Sequence, residues 1–208
     1  MLKSLVAALS MSAALGTACT PASNPAQTVQ GDSFIGAADA KVVMIEYGAP
    51  TCPSCKSWHD EVWRQLKADY IDTGRIKFIF RELPSHNPPV DASIFAIARC
   101  SGAEAYFDVI DEAFVQQQQI ERASQSVDGP RKALTALAAK FGLDAKEFEA
   151  CVKDPAMIDR ILAVQAEAEA RNVSGTPTFF INDKLIDRPS YANIRTGLDT
   201  ALAGAGAP

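Results

Sequence analysis

The segment Cys52-Pro53-Ser54-Cys55 places two thiols three positions apart, between two different hydrophobic patterns. Residues 42–47, Val-Val-Met-Ile-Glu-Tyr, form an almost continuous apolar run of strand length, whereas residues 56–70 repeat apolar side chains at helical spacing. Far along the chain, Pro177 precedes another short apolar run. A C-x-x-C pair alone also occurs in metal sites and by chance. At a strand-to-helix junction, with a remote Thr-Pro before a strand, it indicates thiol–disulfide redox chemistry.

The composition is that of an ordinary globular protein. The chain has 208 residues, of which 48% are hydrophobic and 22% charged, so a packed core is expected. The formal net charge is −5, and no cluster of Lys and Arg could follow a phosphate backbone. We therefore expect no nucleic-acid partner, and a monomer that carries neither an organic cofactor nor a metal.

The first nineteen residues have the pattern of an export signal. Lys3 is followed by an apolar stretch over residues 5–15, which is too short to span a bilayer as a mature helix. Small residues at 16–18 then precede Cys19. We predict an export signal at 1–19, a flexible tether rich in Thr, Pro, Ala and Ser at 20–32, and a periplasmic or cell-envelope location.

Cys19 resembles the acylated cysteine of bacterial lipoproteins, which would anchor the protein to a membrane. The large apolar residue, Leu15, lies one position earlier than that pattern requires. Ordinary cleavage near Ala18 or Ala22 is the alternative, and either process takes the protein out of the cytoplasm.

Hydrophobic periodicity predicts the order β-α-β, a block of helices, and β-β-α. The Gln run at 116–119 is expected to be the solvated end of a helix over 106–114, and Asp144 with Glu147 predicts a capping box. His59 is expected on the surface, and His86 in a Pro-rich loop. The predicted strands are 34–36, 42–47, 76–80, 178–181 and 184–186. Further helices are predicted to start at 50–51 and to include residues 94–100, 134–141, 144–151, 154–162 (with Ile158, Ile161 and Leu162 inward) and 191–202.

From about residue 36 to residue 203 the chain resembles the DsbA-like family of exported thioredoxin-fold proteins. The resemblance rests on Glu46, the Cys-Pro-Ser-Cys segment, Gly175-Thr176-Pro177-Thr178 and the helical block. It implies an α/β, thioredoxin-like fold with an inserted α-helical subdomain. The domain is expected at 33–204, with the insertion at about 86–172.

Cys52 is the predicted nucleophile, because a thiol at a helix N-terminus meets unpaired N–H groups that favour its thiolate. Cys55, one turn later, is the predicted resolving thiol. Pro53 fits an early helical position, where no N–H is required. In the strongest oxidants of the family a histidine occupies the position of Ser54, whose neutral hydroxyl implies a smaller lowering of the Cys52 pKa. The alternative is a stable bridge without redox activity.

The resemblance assigns roles to three more residues. Glu46 would lie under the redox pair and move a proton for Cys55, although an acid at this position could instead project from a sheet edge into water. Pro177 would be cis and leave the backbone of Thr176 free to pair with an extended substrate. Threonine before this proline also occurs in reductase and isomerase relatives, so Thr176 leaves the direction of electron flow open. An ordinary trans proline is the alternative.

Four cysteines remain when Cys19 is set aside, and in an oxidising compartment they suggest two bridges. The local pair leaves Cys100 and Cys151 for a structural disulfide. Two unpaired buried cysteines, or a four-cysteine zinc site, are the alternatives; only one pair has zinc-knuckle spacing.

The leading functional prediction is an exported thiol:disulfide oxidoreductase that oxidises unfolded or partly folded secreted proteins through a mixed disulfide. A quinone-linked membrane oxidase would recharge it. The first alternative is a reductase or isomerase supplied with electrons by a membrane reductase. The second is a non-catalytic binding or chaperone module of the same fold.

Overall fold

A five-stranded mixed sheet lies at the centre of the computed structural model, which describes residues 29–206. The predicted export signal, Cys19 and most of the predicted tether therefore lie outside the described residues. The strands are β1 (Ser33–Gly36), β2 (Val43–Gly48), β3 (Lys77–Glu82), β4 (Thr178–Ile181) and β5 (Lys184–Leu185). Their order is β1-β3-β2-β4-β5, with β2 and β3 parallel and the other neighbouring pairs antiparallel. The predicted β-α-β unit and the β4–β5 hairpin are confirmed.

Helices cover both faces of the sheet. They are α1 (Pro53–Trp58), α2 (Arg64–Leu66), α3 (Pro88–Cys100), α4 (Tyr106–Val115), α5 (Gln117–Ala123), α6 (Gly129–Lys140), α7 (Ala145–Val152), α8 (Pro155–Ala170) and α9 (Tyr191–Gly204). Helices α3 to α8 lie between β3 and β4 in the chain, which confirms the inserted helical subdomain. The α1 and α2 segments belong to one helical stretch, whose other parts, His59–Trp63 and Lys67–Ile71, are π-helical.

Strand β2 is buried along its whole length, and its side chains alternate between the two sheet faces. Met44 belongs to the larger core, with Cys52 and Cys55 of the redox segment. Ile45 belongs to the smaller core, which α8 covers with Val164. The period of two therefore places Glu46 on the face that is covered by α1, the helix after Cys52, which is called the redox helix below.

The redox helix begins later than the sequence predicted. Its first residue is Pro53 and Cys52 is its N-cap, whereas the prediction started the helix at Pro50 and Thr51. The reason is that the backbone N–H and the hydroxyl of Thr51 both donate to the carboxylate of Asp91 on α3 (2.9 Å each). Thr51 is thus held in the loop by the helical subdomain.

The inward face of helix α8 matches the predicted one only in part. Ile161 is partly buried and packs against the larger core, as predicted, but Ile158 and Leu162 are mostly exposed, and Val164 and Arg160 are buried instead. Arg160 reaches the core because its guanidinium donates to Asp32 (2.6 Å) and to Glu82 (2.8 Å). A prediction from hydrophobic periodicity that treats arginine as a solvated residue therefore misplaces part of the buried face.

The glutamine run is not the end of α4, contrary to the prediction. Helix α4 ends at Val115, and a separate helix, α5, begins at Gln117. The capping box of α7 is confirmed, with Asp144 and Glu147 each accepting from the other's backbone N–H.

Candidate active site

Cys52 caps the N-terminus of α1. Its Sγ accepts from the backbone N–H of Cys55 (3.3 Å), one of the amides that a helix cannot satisfy internally. The side chains of Pro53 and Ser54 are exposed, whereas Cys52 is only 5% exposed and Cys55 is fully buried. The two thiols are not bonded to each other in this structure.

The two thiols have opposite acidities. The pKa of Cys52 is lowered to about 5, mainly by hydrogen bonding from the Cys55 thiol. The Thr176 side chain and the backbone amides of Cys55 and Ser54 lower it further, whereas the burial of Cys52 acts in the opposite direction. Burial raises the pKa of Cys55 far above the ordinary value, and its hydrogen bond with Cys52 adds to that effect. Cys52 is therefore a thiolate at neutral pH and Cys55 a thiol.

Glu46 is buried beneath the redox pair and does not project into water. Its residue is 3% exposed, and its neighbours across the sheet are Phe80 on β3 and Phe179 on β4. Its Oε1 atom has no hydrogen-bond partner among residues 29–206. Burial raises the pKa of Glu46 well above its usual range, and the charges of Cys52 and Asp111 raise it further. Glu46 is thus a neutral acid, able to donate a proton.

The loop before β4 lies against Cys52. The Thr176–Pro177 peptide bond is cis, the isomer expected from the sequence. Cys52 Sγ lies 3.4 Å from the carbonyl oxygen of Thr176, to which a thiol would donate. The hydroxyl of Thr178 donates to the carbonyl of Gly175 (2.7 Å) and closes the turn. Residues 124 positions apart thus meet at one sulfur atom.

Two residues of the helical subdomain hold the loop before Cys52, and sequence reasoning missed both. Gln117 donates to the carbonyl oxygens of Pro50 (2.7 Å) and Cys52 (2.9 Å). Asp91 binds Thr51 and is fully buried, and its burial raises the pKa of its carboxyl to about 6. A carboxylate in the first turn of a helix is ordinary in sequence, and nothing in the glutamine run distinguishes Gln117 from its neighbours.

His59 is not the surface residue that the sequence predicted. Its Nε2 lies 3.0 Å from Asp111 Oδ1 on α4, and its ring packs on Phe114 with centroids 4.8 Å apart. Trp63 donates to the other oxygen of the same carboxylate (3.1 Å). Asp111 thereby joins the redox helix to the helical subdomain.

The other predicted cysteine pair is joined. A disulfide links Cys100, the last residue of α3, to Cys151 in α7. It joins cysteines 51 positions apart in the sequence and lies within the helical subdomain.

In the part of the chain from residue 29 to residue 206, no group of three His, Cys, Asp or Glu side chains could hold a metal ion. Within the same range, no helix combines the length and the apolar character that crossing a membrane requires.

Comparison with known proteins finds sequence relatives. A family model described as Thioredoxin matches residues 28–200. A Rickettsia bellii protein, provisionally named a protein-disulfide oxidoreductase, is 30% identical over 174 residues, covering 83% of this chain and 65% of the relative. Disulfide bond formation protein D of Bacillus subtilis is 25% identical over 186 residues, covering 85% of this chain and 80% of the relative. The chain spans between 60% and 65% of the length of the five Rickettsia relatives it matches.

Solved structures share the fold. Oxidised BdbD from Bacillus subtilis superposes with a TM-score of 0.75 at 21% identity, covering 86% of this chain and 96% of that one. Wolbachia pipientis alpha-DsbA1 gives a TM-score of 0.72 at 24% identity, covering 86% and 94% of the two chains. At these identities the likeness shows the thioredoxin-like fold with its inserted helices.

Proposed function

Since this chain belongs to the thioredoxin family and has the DsbA-like form of that fold, we propose that it is a thiol:disulfide oxidoreductase acting through Cys52 and Cys55. The names of its Rickettsia and Bacillus relatives support this activity. The observation that carries the proposal is the contrast between the two thiols: the pKa of Cys52 is lowered to about 5, while burial raises that of Cys55. A purely structural bridge needs no such contrast.

In the proposed reaction, the oxidised pair receives two electrons from a substrate dithiol. A substrate thiolate attacks Cys52 Sγ, the Cys52–Cys55 bond breaks, and Cys55 leaves with the electron pair. The second substrate thiolate then attacks the substrate sulfur of the mixed disulfide, and Cys52 leaves as a thiolate. Its low pKa makes Cys52 a good leaving group in this second step.

Glu46 is the proposed proton donor to Cys55. The raised pKa of Cys55 means that its thiolate is costly in this buried place, so bond cleavage needs a proton there. The neutral carboxyl of Glu46 supplies it when the disulfide opens and takes it back when the pair is reoxidised. The surface around Cys52 is shaped by four residues that support the Cys52/Cys55 pair: Pro53, Ser54, Thr176 and Pro177.

We propose that the substrates are thiols of unfolded or partly folded secreted proteins. Residues 1–19 are proposed as the export signal, 20–32 as a tether and Cys19 as a lipid site, and a monomer would act in the periplasm or cell envelope. A membrane oxidase linked to quinones would recharge the pair. The lowered pKa of Cys52, which makes its thiolate a good leaving group, supports the oxidising direction over the reductase and isomerase alternatives.

The test is the reduction potential of the pair against glutathione at pH 7, in a Cys19→Ser chain with Cys100 and Cys151 left bridged. A stabilised Cys52 thiolate predicts a value nearer to about −120 mV than to about −270 mV, and rapid oxidation of a reduced dithiol peptide. A value near about −270 mV would instead support the reductase. The control is Cys52→Ser, which should form no mixed disulfide, and an unreactive wild-type pair would refute both enzymatic functions.

A further inference from the structure

We propose that Gln117 is a positioning residue for Cys52, and that the helical subdomain sets the acidity of this thiol through it. Gln117 is the first residue of α5, and its side chain is half-buried against the loop that precedes α1. Its Nε2 atom donates to the carbonyl oxygens of Pro50 (2.7 Å) and Cys52 (2.9 Å). Both acceptors are at least 65 positions away in the sequence.

The geometry uses the whole donor capacity of the amide. A carboxamide nitrogen carries two N–H groups, and each of them has a carbonyl acceptor here. Because carbonyl oxygens only accept, the opposite orientation of the amide would set three oxygens against one another. The neighbouring Gln118 and Gln119 are exposed, so the contact depends on this one position of the run.

The Cys52 carbonyl is also where the redox helix starts. It accepts the backbone N–H of Lys56 (3.1 Å), the first hydrogen bond of α1, and Gln117 occupies its remaining acceptor site. Thr51, between the two Gln117 contacts, is bound by Asp91 on α3. Three consecutive residues before the helix are therefore held by side chains of the helical subdomain.

Gln117 stabilises the Cys52 thiolate in two ways, and both lower the pKa of Cys52. The fixed loop keeps Cys52 Sγ at the amides of Cys55 and Ser54, which stabilise negative charge. The N–H donors also offset the negative ends of two carbonyl dipoles close to the thiolate. Loss of Gln117 should therefore raise the pKa of Cys52 and make its disulfide a weaker oxidant.

The inference rests on the proposed role of Cys52, but it is tested without an exchange reaction. The readout is the absorbance of the Cys52 thiolate during a pH titration of the reduced Cys19→Ser chain, with the Cys100–Cys151 bridge intact. An absence of oxidoreductase activity would refute the proposed function, whereas an unchanged titration in the variant would refute the positioning role alone.

The primary variant is Gln117→Leu, which keeps most of the side-chain volume and removes both donors. We expect the pKa of Cys52 to rise by about half a unit or more, with slower alkylation at pH 5 to 6. The matched control is Gln118→Leu, one position along on the exposed side, which should titrate as the wild type does. A wild-type titration in Gln117→Leu overturns the proposal.

A second variant tests whether the N–H donors at position 117 are what matters. Gln117→Lys restores N–H donors on a flexible chain, so it should return the pKa of Cys52 to the wild-type value or below. A pKa in Gln117→Lys as high as that expected for the leucine variant would overturn the proposal, because the donors would then be irrelevant. Thermal unfolding of the reduced variants, with the Cys100–Cys151 bridge intact, checks that the titrated proteins are folded.

Discussion

At the scale of single residues, the acid beneath the redox pair is kept at a cost to stability. Glu46 has a buried carboxyl with an unpartnered oxygen, between two phenylalanines. Such a group is destabilising, since burying a polar group without a partner costs about 1–3 kcal/mol. Its position therefore fits a residue retained for proton transfer.

Replacing Glu46 by leucine should stabilise the oxidised protein and slow its reduction. The folded-state pKa of Glu46 is raised, so the folded form binds the proton more tightly and loses stability as the pH rises above about 4.5. The advantage of Glu46→Leu should therefore grow with pH from about 4.5 upward, reaching about 1–3 kcal/mol or more. Urea unfolding of the oxidised proteins between pH 4 and 8 measures it.

The control is Met44→Leu, two positions earlier on the same face of β2. An exchange between apolar residues of similar volume has no titrating group, so its effect should be small and independent of pH. If Glu46→Leu and Met44→Leu showed the same pH profile, the neutral-acid assignment would be wrong.

At the scale of elements, α8 gives a direct test of which helix face is packed. Val164 is fully buried against the smaller core, whereas Leu162 is 55% exposed. Val164→Ala should lower the free energy of unfolding by about 1–3 kcal/mol, because the surrounding side chains cannot fill the space. Leu162→Ala, although it removes more carbon, should cost within about 0.5 kcal/mol. The reverse order in chemical denaturation would restore the face predicted from the sequence.

The same helix shows where sequence reasoning stops. Hydrophobic periodicity located the strands and most helices, since β2 is buried on both faces and α9 has a regular apolar stripe. It was right only in part for the inward face of α8, because two ion pairs with residues far away in sequence make Arg160 a core residue. It also assigned Gln117 to solvent, since its acceptors are backbone carbonyls, which leave no pattern in the sequence.

The residues of the candidate site also fall into two groups, those that the sequence predicted and those that it missed. Cys52, Cys55 and Glu46 could be selected because each breaks a local pattern: two thiols at a helix start and an acid in an apolar strand. Asp91 and His59 break none, and their contacts, with Thr51 and Asp111, are made only when the helical subdomain packs on the redox helix. Residues that break a local sequence pattern can therefore be predicted from the sequence, whereas contacts between the helical subdomain and the redox helix can be found only from the fold.

At the scale of the whole molecule, the ionisation of Cys52 makes the free energy of unfolding of the reduced protein depend on pH. The helix N-terminus and the loop of Thr176 stabilise the Cys52 thiolate only in the folded protein. The pKa of Cys52 is lowered from 9.0 to about 5, so the reduced folded protein gains stability as the pH rises from about 5 towards 9. It loses that stability as the pH falls to 5.

The reduced and oxidised proteins should therefore exchange their order of stability with pH. The disulfide closes a loop of four residues and stabilises the oxidised protein by about 2 kcal/mol at any pH, through the entropy of its unfolded chain. The Cys52 thiolate stabilises the reduced protein by about 3 kcal/mol at pH 7.5 and by less than about 0.5 kcal/mol at pH 5. The oxidised form should be the more stable below about pH 6.5 and the reduced form above it.

Denaturation of both redox forms between pH 5 and 8.5 measures this crossing. Groups such as Asp91 are present in both forms, so their titration largely cancels in the difference between the two curves. An oxidised form that stays more stable across the whole range would mean that the fold does not stabilise the thiolate. The disulfide would then be the preferred state of the folded protein, and the pair would act as a reductant.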